Sequence, residues 1–127
     1  MNTVPFTLDD VWGGFGEGAG LLHDEGNQLR LEFEVKDGVF GAIKSGLKQV
    51  VVPFDELVSV TLTKGWLGTG WLGVKIVIQT RRMEVLRDVP SASQGRIELS
   101  ISRKNYAAAE RFVADLHESD DGSNRPG

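Results

Sequence analysis

Few residues in this sequence have the types and spacing that chemistry requires. There are two histidines, His23 and His117, far apart in the chain, and no cysteine. A zinc site takes three or four ligands from histidine, cysteine and carboxylate. Two separated histidines therefore predict two surface residues and no metal. Carboxylates pair at Asp9-Asp10, Asp24-Glu25 and Asp55-Glu56, each in a turn-like stretch where acids are ordinary. The G-x-S-x-G elbow of a serine hydrolase is absent. Gly14-x-Gly16-x-x-Ala19 loosely fits a dinucleotide fingerprint, but Glu17 stands where a pyrophosphate would lie, and neither a strand before it nor a helix after it is expected. Lys44-Ser45 lacks the glycine that precedes the lysine of a phosphate loop. These residues predict no catalytic centre, no cofactor and no metal.

The most informative side chains are aromatic. Trp66 and Trp71 flank the turn Gly68-Thr69-Gly70, with Leu67 and Leu72 beside them. Two tryptophans and two leucines around three glycines are a large apolar load for a hairpin tip. Such a tip either folds back on its own core or presents an aromatic patch to a partner, because tryptophan is enriched at interfaces. Lys64 and Lys75 flank it, so the candidate interaction surface is Trp66, Leu67, Trp71, Leu72, Lys64 and Lys75.

Positioning that tip requires strands. Residues 28–36 (QLRLEFEVK) put Leu29, Leu31, Phe33 and Val35 on one face and Arg30, Glu32, Glu34 and Lys36 on the other, the period of a half-buried strand. Alternation and turn signals predict further strands at 19–24, 49–52, 57–67, 71–80, 83–89 and 96–102. Pro53 and Pro90 stop two of them. After residue 102 the period changes. Tyr106, Ala109, Phe112, Val113 and Leu116 recur at three- and four-residue steps and form one helical stripe, with Ser102 or Asn105 as N-cap. No strand is followed by a helical crossover, which excludes a parallel sheet. Seven strands and a helix predict a mainly β, antiparallel barrel of two orthogonal sheets capped by the C-terminal helix.

The remaining segments read as flanks. Residues 1–18, which hold most of a glycine cluster at 13–20, read as a partly flexible lead, which Phe6, Leu8, Val11 and Trp12 can pin to the core. Residues 119–127 read as a disordered polar tail. A chain of 127 residues with 40% hydrophobic residues is one domain's worth. Net charge is −4, distributed as −5 over residues 1–27, +4 over 28–104 and −3 over 105–127. Nothing in that balance points to nucleic acid. The lack of cysteine suits a reducing compartment, and no apolar run is long enough to span a membrane, so a cytoplasmic protein is expected.

In this order the elements resemble the pleckstrin-homology-like (PH-like) superfold, and within it the small bacterial PH-like and GRAM-like proteins. Val52-Pro53-Phe54-Asp55-Glu56-Leu57-Val58-Ser59-Val60 resembles the I-P-[YF]-x-x-I-x-x-V segment that enters the fourth strand of the family. Lys64-Gly65-Trp66-Leu67-Gly68 resembles the basic-x-W-[FL]-G hairpin that follows. The resemblance covers residues 19–118. It implies a binding scaffold whose members bind phosphoinositides, bind proteins or self-associate. The phosphoinositide members carry a basic cluster around the first hairpin; here that hairpin is Asp24-Glu25-Gly26-Asn27-Gln28, followed only by Arg30 and Lys36. An acidic loop repels a polyanion. The expected function is a non-catalytic interaction module making protein contacts or a homo-oligomer. The alternatives are a peripheral lipid-binding module using the Trp66/Trp71 hairpin, and a ligand carrier or enzyme with its site in the barrel mouth.

Overall fold

The computed structural model describes residues 2–11, 16–37, 47–67, 70–89 and 92–123, with backbone alone at 9–11, 16–17, 36–37, 65–67, 70–72 and 118–123. Seven strands, β1 (Thr3–Val11), β2 (Gly16–Asp24), β3 (Gln28–Asp37), β4 (Lys48–Pro53), β5 (Leu57–Leu67), β6 (Gly70–Thr80) and β7 (Arg96–Ile101), precede one helix, α1 (Tyr106–Ser123). All pair antiparallel in one sheet of order β4-β3-β2-β1-β7-β6-β5. The sheet is not closed, because β4 and β5 are its two end strands. Only Thr7 and Ser100 pair between β1 and β7, so this seam joins two meanders, β1 to β4 and β5 to β7.

The core follows the period of two. Phe33, Leu31 and Leu29 of β3, Ile76 and Ile78 of β6, and Ile97 and Leu99 of β7 are buried. The α1 stripe behaves as its spacing predicts: Ala109, Phe112, Val113 and Leu116 join this cluster and Tyr106 packs against it. Burying a side chain such as Phe112 or Leu116 contributes about 2 kcal/mol. The two N-cap candidates bond each other, Asn105 Nδ2 donating to Ser102 Oγ at 2.9 Å, ahead of the helix.

Two sequence readings need correction. Thr3–Val11 is no lead. It is a strand inside the sheet, and its Val4, Phe6 and Leu8 are core residues. Pro5 is tolerated there because β1 meets β7 only at Thr7, so the N–H that proline lacks has no ladder to serve on that side. Gly16, Gly18 and Gly20 belong to β2, which therefore starts at Gly16, and Gly18 and Gly20 serve close packing. A Cβ on Gly20 would lie 1.8 Å from the Glu32 carbonyl oxygen, and one on Gly18 would lie 2.9 Å from Leu8 Cδ1. The second correction concerns residues 83–89. Met83–Leu86 is a single 3-10 turn, not a strand. Val85 N–H donates to the Arg82 carbonyl and Val89 N–H to that of Leu86. Leu86 and Val89, three residues apart, are the buried pair. A spacing of three belongs to a helical turn; the alternation Met83, Val85, Val89 is incidental. The α1 backbone continues to Ser123, and the rest of the expected tail, 124–127, lies outside the described residues. Asn2 Nδ2 donates to Asp115 Oδ2 at 2.8 Å and ties the start of β1 to α1.

Candidate interaction surface

The sequence-predicted hairpin is formed by β5 and β6. The backbones of Trp66 and Trp71 are register partners, as are those of Leu67 and Gly70. The tip residues 68–69, and the side chains of Trp66, Leu67, Trp71 and Leu72, lie outside the described residues. The two lysines are not brought together. Lys64 stands opposite Val74 and Lys75 opposite Thr63, adjacent positions of the ladder, and so on opposite faces of the hairpin. Lys64 Nζ lies 3.5 Å from Glu110 of α1 and 5.9 Å from the centre of the Tyr106 ring. Lys75 Nζ pairs with Glu98 of β7 at 3.3 Å on the other face. A joint basic patch for an anionic surface is therefore split.

The histidines are more engaged than their sequence positions imply. His23 of β2 lies between Thr3 of β1 and Glu32 of β3. Thr3 Oγ1 is 2.9 Å from Nδ1, and Glu32 Oε1 is 2.5 Å from Nε2. Arg30 Nη1 donates to the same Glu32 oxygen at 2.6 Å, and Arg30 Nε donates to Glu25 Oε2 at 3.0 Å. Gln28 Nε2 donates to Glu25 Oε1. Hydrogen bonds from Gln28 and then Arg30 hold the Glu25 carboxyl below the usual range; those from Arg30 and then His23 do the same for Glu32. Arg30 is correspondingly held charged by Glu25 and Glu32. Hydroxyl, imidazole and carboxylate do stand in the order of a nucleophilic relay. The Arg30 guanidinium, however, neutralises the carboxylate that would orient the imidazole, and the array lies on the outer face of the sheet. It acts as a polar clasp across three strands. Sequence reasoning missed it because Thr3 and His23 are brought opposite each other only by the β1–β2 register.

The two end strands differ. β4 is six residues long, begins at Lys48 and ends at Pro53, features that discourage another strand from adding to it. β5 has 11 residues, and from Leu57 to Thr63 (LVSVTLT) it contains no charge and no proline. It is irregular at two places, a bulge at Val58, between the pairs Leu57–Thr80 and Ser59–Gln79, and a register shift between Gly65 and Trp66. Val58 is 58% exposed. The Val60 carbonyl faces away from β6: it lies 2.7 Å from Nε2 of His117, which comes from α1. Backbone groups two residues apart point the same way along a strand, so Leu62 shares that free edge. Between this edge and the last turns of α1 is a cavity of about 210 Å³ lined by Phe54, Leu57, Val58, Val60, Leu116 and His117, among others. The segment 52–60 builds this corner: Pro53 ends β4, Phe54–Glu56 makes one 3-10 turn, and Leu57 starts β5. The neutral run 57–63 is visible in the sequence, but its place at a sheet edge depends on β1 pairing with β7.

Among the described residues no group of three or more histidine, cysteine or carboxylate side chains is arranged to hold a metal ion. Nor is any helix there long and apolar enough to cross a membrane. Compared with protein-family models, with curated proteins and with solved structures, the chain finds no match.

Proposed function

We propose that this chain is a PH-like, non-catalytic interaction module of the cytoplasm that docks proteins along the free edge of β5 and the adjoining groove beside α1. The observation that carries this reading is the end strand β5, whose outer side pairs with no other strand among the described residues. Eleven residues of end strand, seven of them consecutively uncharged, are a template for an added strand. The PH-like reading draws support from seven antiparallel strands followed by a helix. It draws more from the break between β4 and β5 at the Val52-Pro53-Phe54 corner. The single-pair seam at Thr7 and Ser100 accords with two sheets folded on one another. The backbone of the Trp66/Trp71 hairpin continues β5 beyond this surface. Lipid binding through that hairpin is disfavoured, because Lys64 and Lys75 point to opposite faces and each faces a glutamate.

A synthetic peptide copying residues 56–64 serves as a neutral extended probe. Titrated into isotope-labelled protein, it should shift the amide resonances of β5 and of α1 around His117. An absence of shifts, or shifts confined to other strands, overturns the reading. Pelleting with anionic vesicles that is lost in both Lys64→Ala and Lys75→Ala would replace it with the lipid one.

A further inference from the structure

We infer that the occupant of this edge is a second copy of the chain, pairing β5 with β5 antiparallel about a two-fold axis at Val60. The inference rests on the edge being a docking surface, as proposed above. Its support is the charge pattern of the strand. An antiparallel pair centred on Val60 sets Ser59 against Thr61 of the partner copy, and beyond it the bulge at Val58 and the neutral Leu57 face the neutral Leu62 and Thr63. The uncharged run thus lies on itself, with no like charges opposed.

The residues that bound the run are Glu56, in the turn that precedes β5, and Lys64, of opposite sign, so the two ends of the run carry opposite charges that an antiparallel pairing brings to the same side. Glu56 also has a carboxylate oxygen without a hydrogen-bond partner among the described residues. Its Oε1 accepts from Arg82 Nε at 3.0 Å, while its Oε2 is buried and has no hydrogen-bond partner. Lys64 of the second copy, on leaving its own Glu110 3.5 Å away, is a donor for this carboxylate. The backbone geometry agrees. The Val60 carbonyl points outward, and a carbonyl has two lone pairs, so the bond from His117 leaves one for the partner's Val60 N–H. An isologous contact of this kind closes at a dimer.

Sedimentation velocity on the full chain tests the inference with Ser59→Glu, Thr61→Lys and the double variant. Both positions are exposed, so circular dichroism should show an unchanged fold. The wild type should show a monomer–dimer equilibrium. Each single variant should weaken it about tenfold, since each introduces like charges diagonally across the axis. The double variant should recover wild-type affinity or better, because each introduced carboxylate then meets the introduced ammonium of the other copy, once on either side of the axis. A double variant as weak as the singles overturns the register. A wild-type dimer indifferent to all three variants overturns the surface. A wild type that stays monomeric while the 56–64 peptide still shifts β5 overturns the second copy and leaves the docking edge to another protein. If the peptide fails as well, both readings fall.

Discussion

At the scale of single residues, the clasp on the outer face of β1 to β3 makes the sharpest statement about pH. Glu25 and Glu32 are held below the usual carboxylate range by Gln28, Arg30 and His23. A lowered carboxyl pKa stabilises the folded state above the unfolded pKa, and that contribution is lost as pH falls through the lowered value. Thermal melts should therefore show a stability decline beginning below about pH 4.3, the ordinary glutamate value. Glu32→Gln should flatten that decline while lowering the melting temperature slightly at neutral pH; an unchanged acid limb would show that the clasp contributes nothing. Gly20 gives a stability prediction. Its missing Cβ leaves room for the β3 backbone, which no rotamer change can move. Gly20→Ala should cost about 3 kcal/mol, the upper end of overpacking penalties, in a denaturant titration. A Gly-rich stretch in sequence offers two meanings, freedom or closeness. Only the pairing of β2 on both sides, to β1 and β3, decides for closeness.

At the scale of elements, legibility followed how far local periodicity agreed with burial. β3 and β7 alternate cleanly, and α1 shows one stripe, so each was readable. β1 alternates too, as Val4, Phe6 and Leu8. Pro5 and the glycines after Trp12 carry the louder local signal, which is one of breaking. The turn at 83–86 misleads in the other direction, because its β-favouring residues sit in a helical turn that buries Leu86. The structure makes β1 as much a part of the core as α1. Phe6→Ala and Phe112→Ala should each destabilise by about 3–5 kcal/mol, read as a lower midpoint in urea. A Phe6 variant within about 0.5 kcal/mol of wild type would return residues 1–18 to the status of a lead.

At the scale of the whole molecule, strand order was the least legible property. A meander of seven strands leaves its first and last strands at the edges. This sheet instead joins β1 to β7 and exposes β4 and β5, strands joined by one short turn. No local pattern encodes that choice, because β1 and β7, which meet at Thr7 and Ser100, come from distant points of the chain. The candidate surface inherited the same limit: the neutral strand could be read, its exposure could not. Exchange measurements would register the difference. The outward amide groups of β5 at Val60 and Leu62 should exchange faster than those of β6 at Ile76 and Ile78, which has partners on both sides.

The seam at Thr7 and Ser100 also sets an order of events in time. The hairpins within each meander close short loops, whereas the seam cannot form until almost the whole described chain has been brought together. Folding should then be governed by the docking of two preformed meanders, with β1 as the approaching edge. Leu8→Ala, near the seam, should mainly slow refolding, and Phe112→Ala, on the helix that covers the finished core, should mainly speed unfolding. Stopped-flow chevrons with the opposite assignment would mean that α1 organises the chain before the sheet is joined.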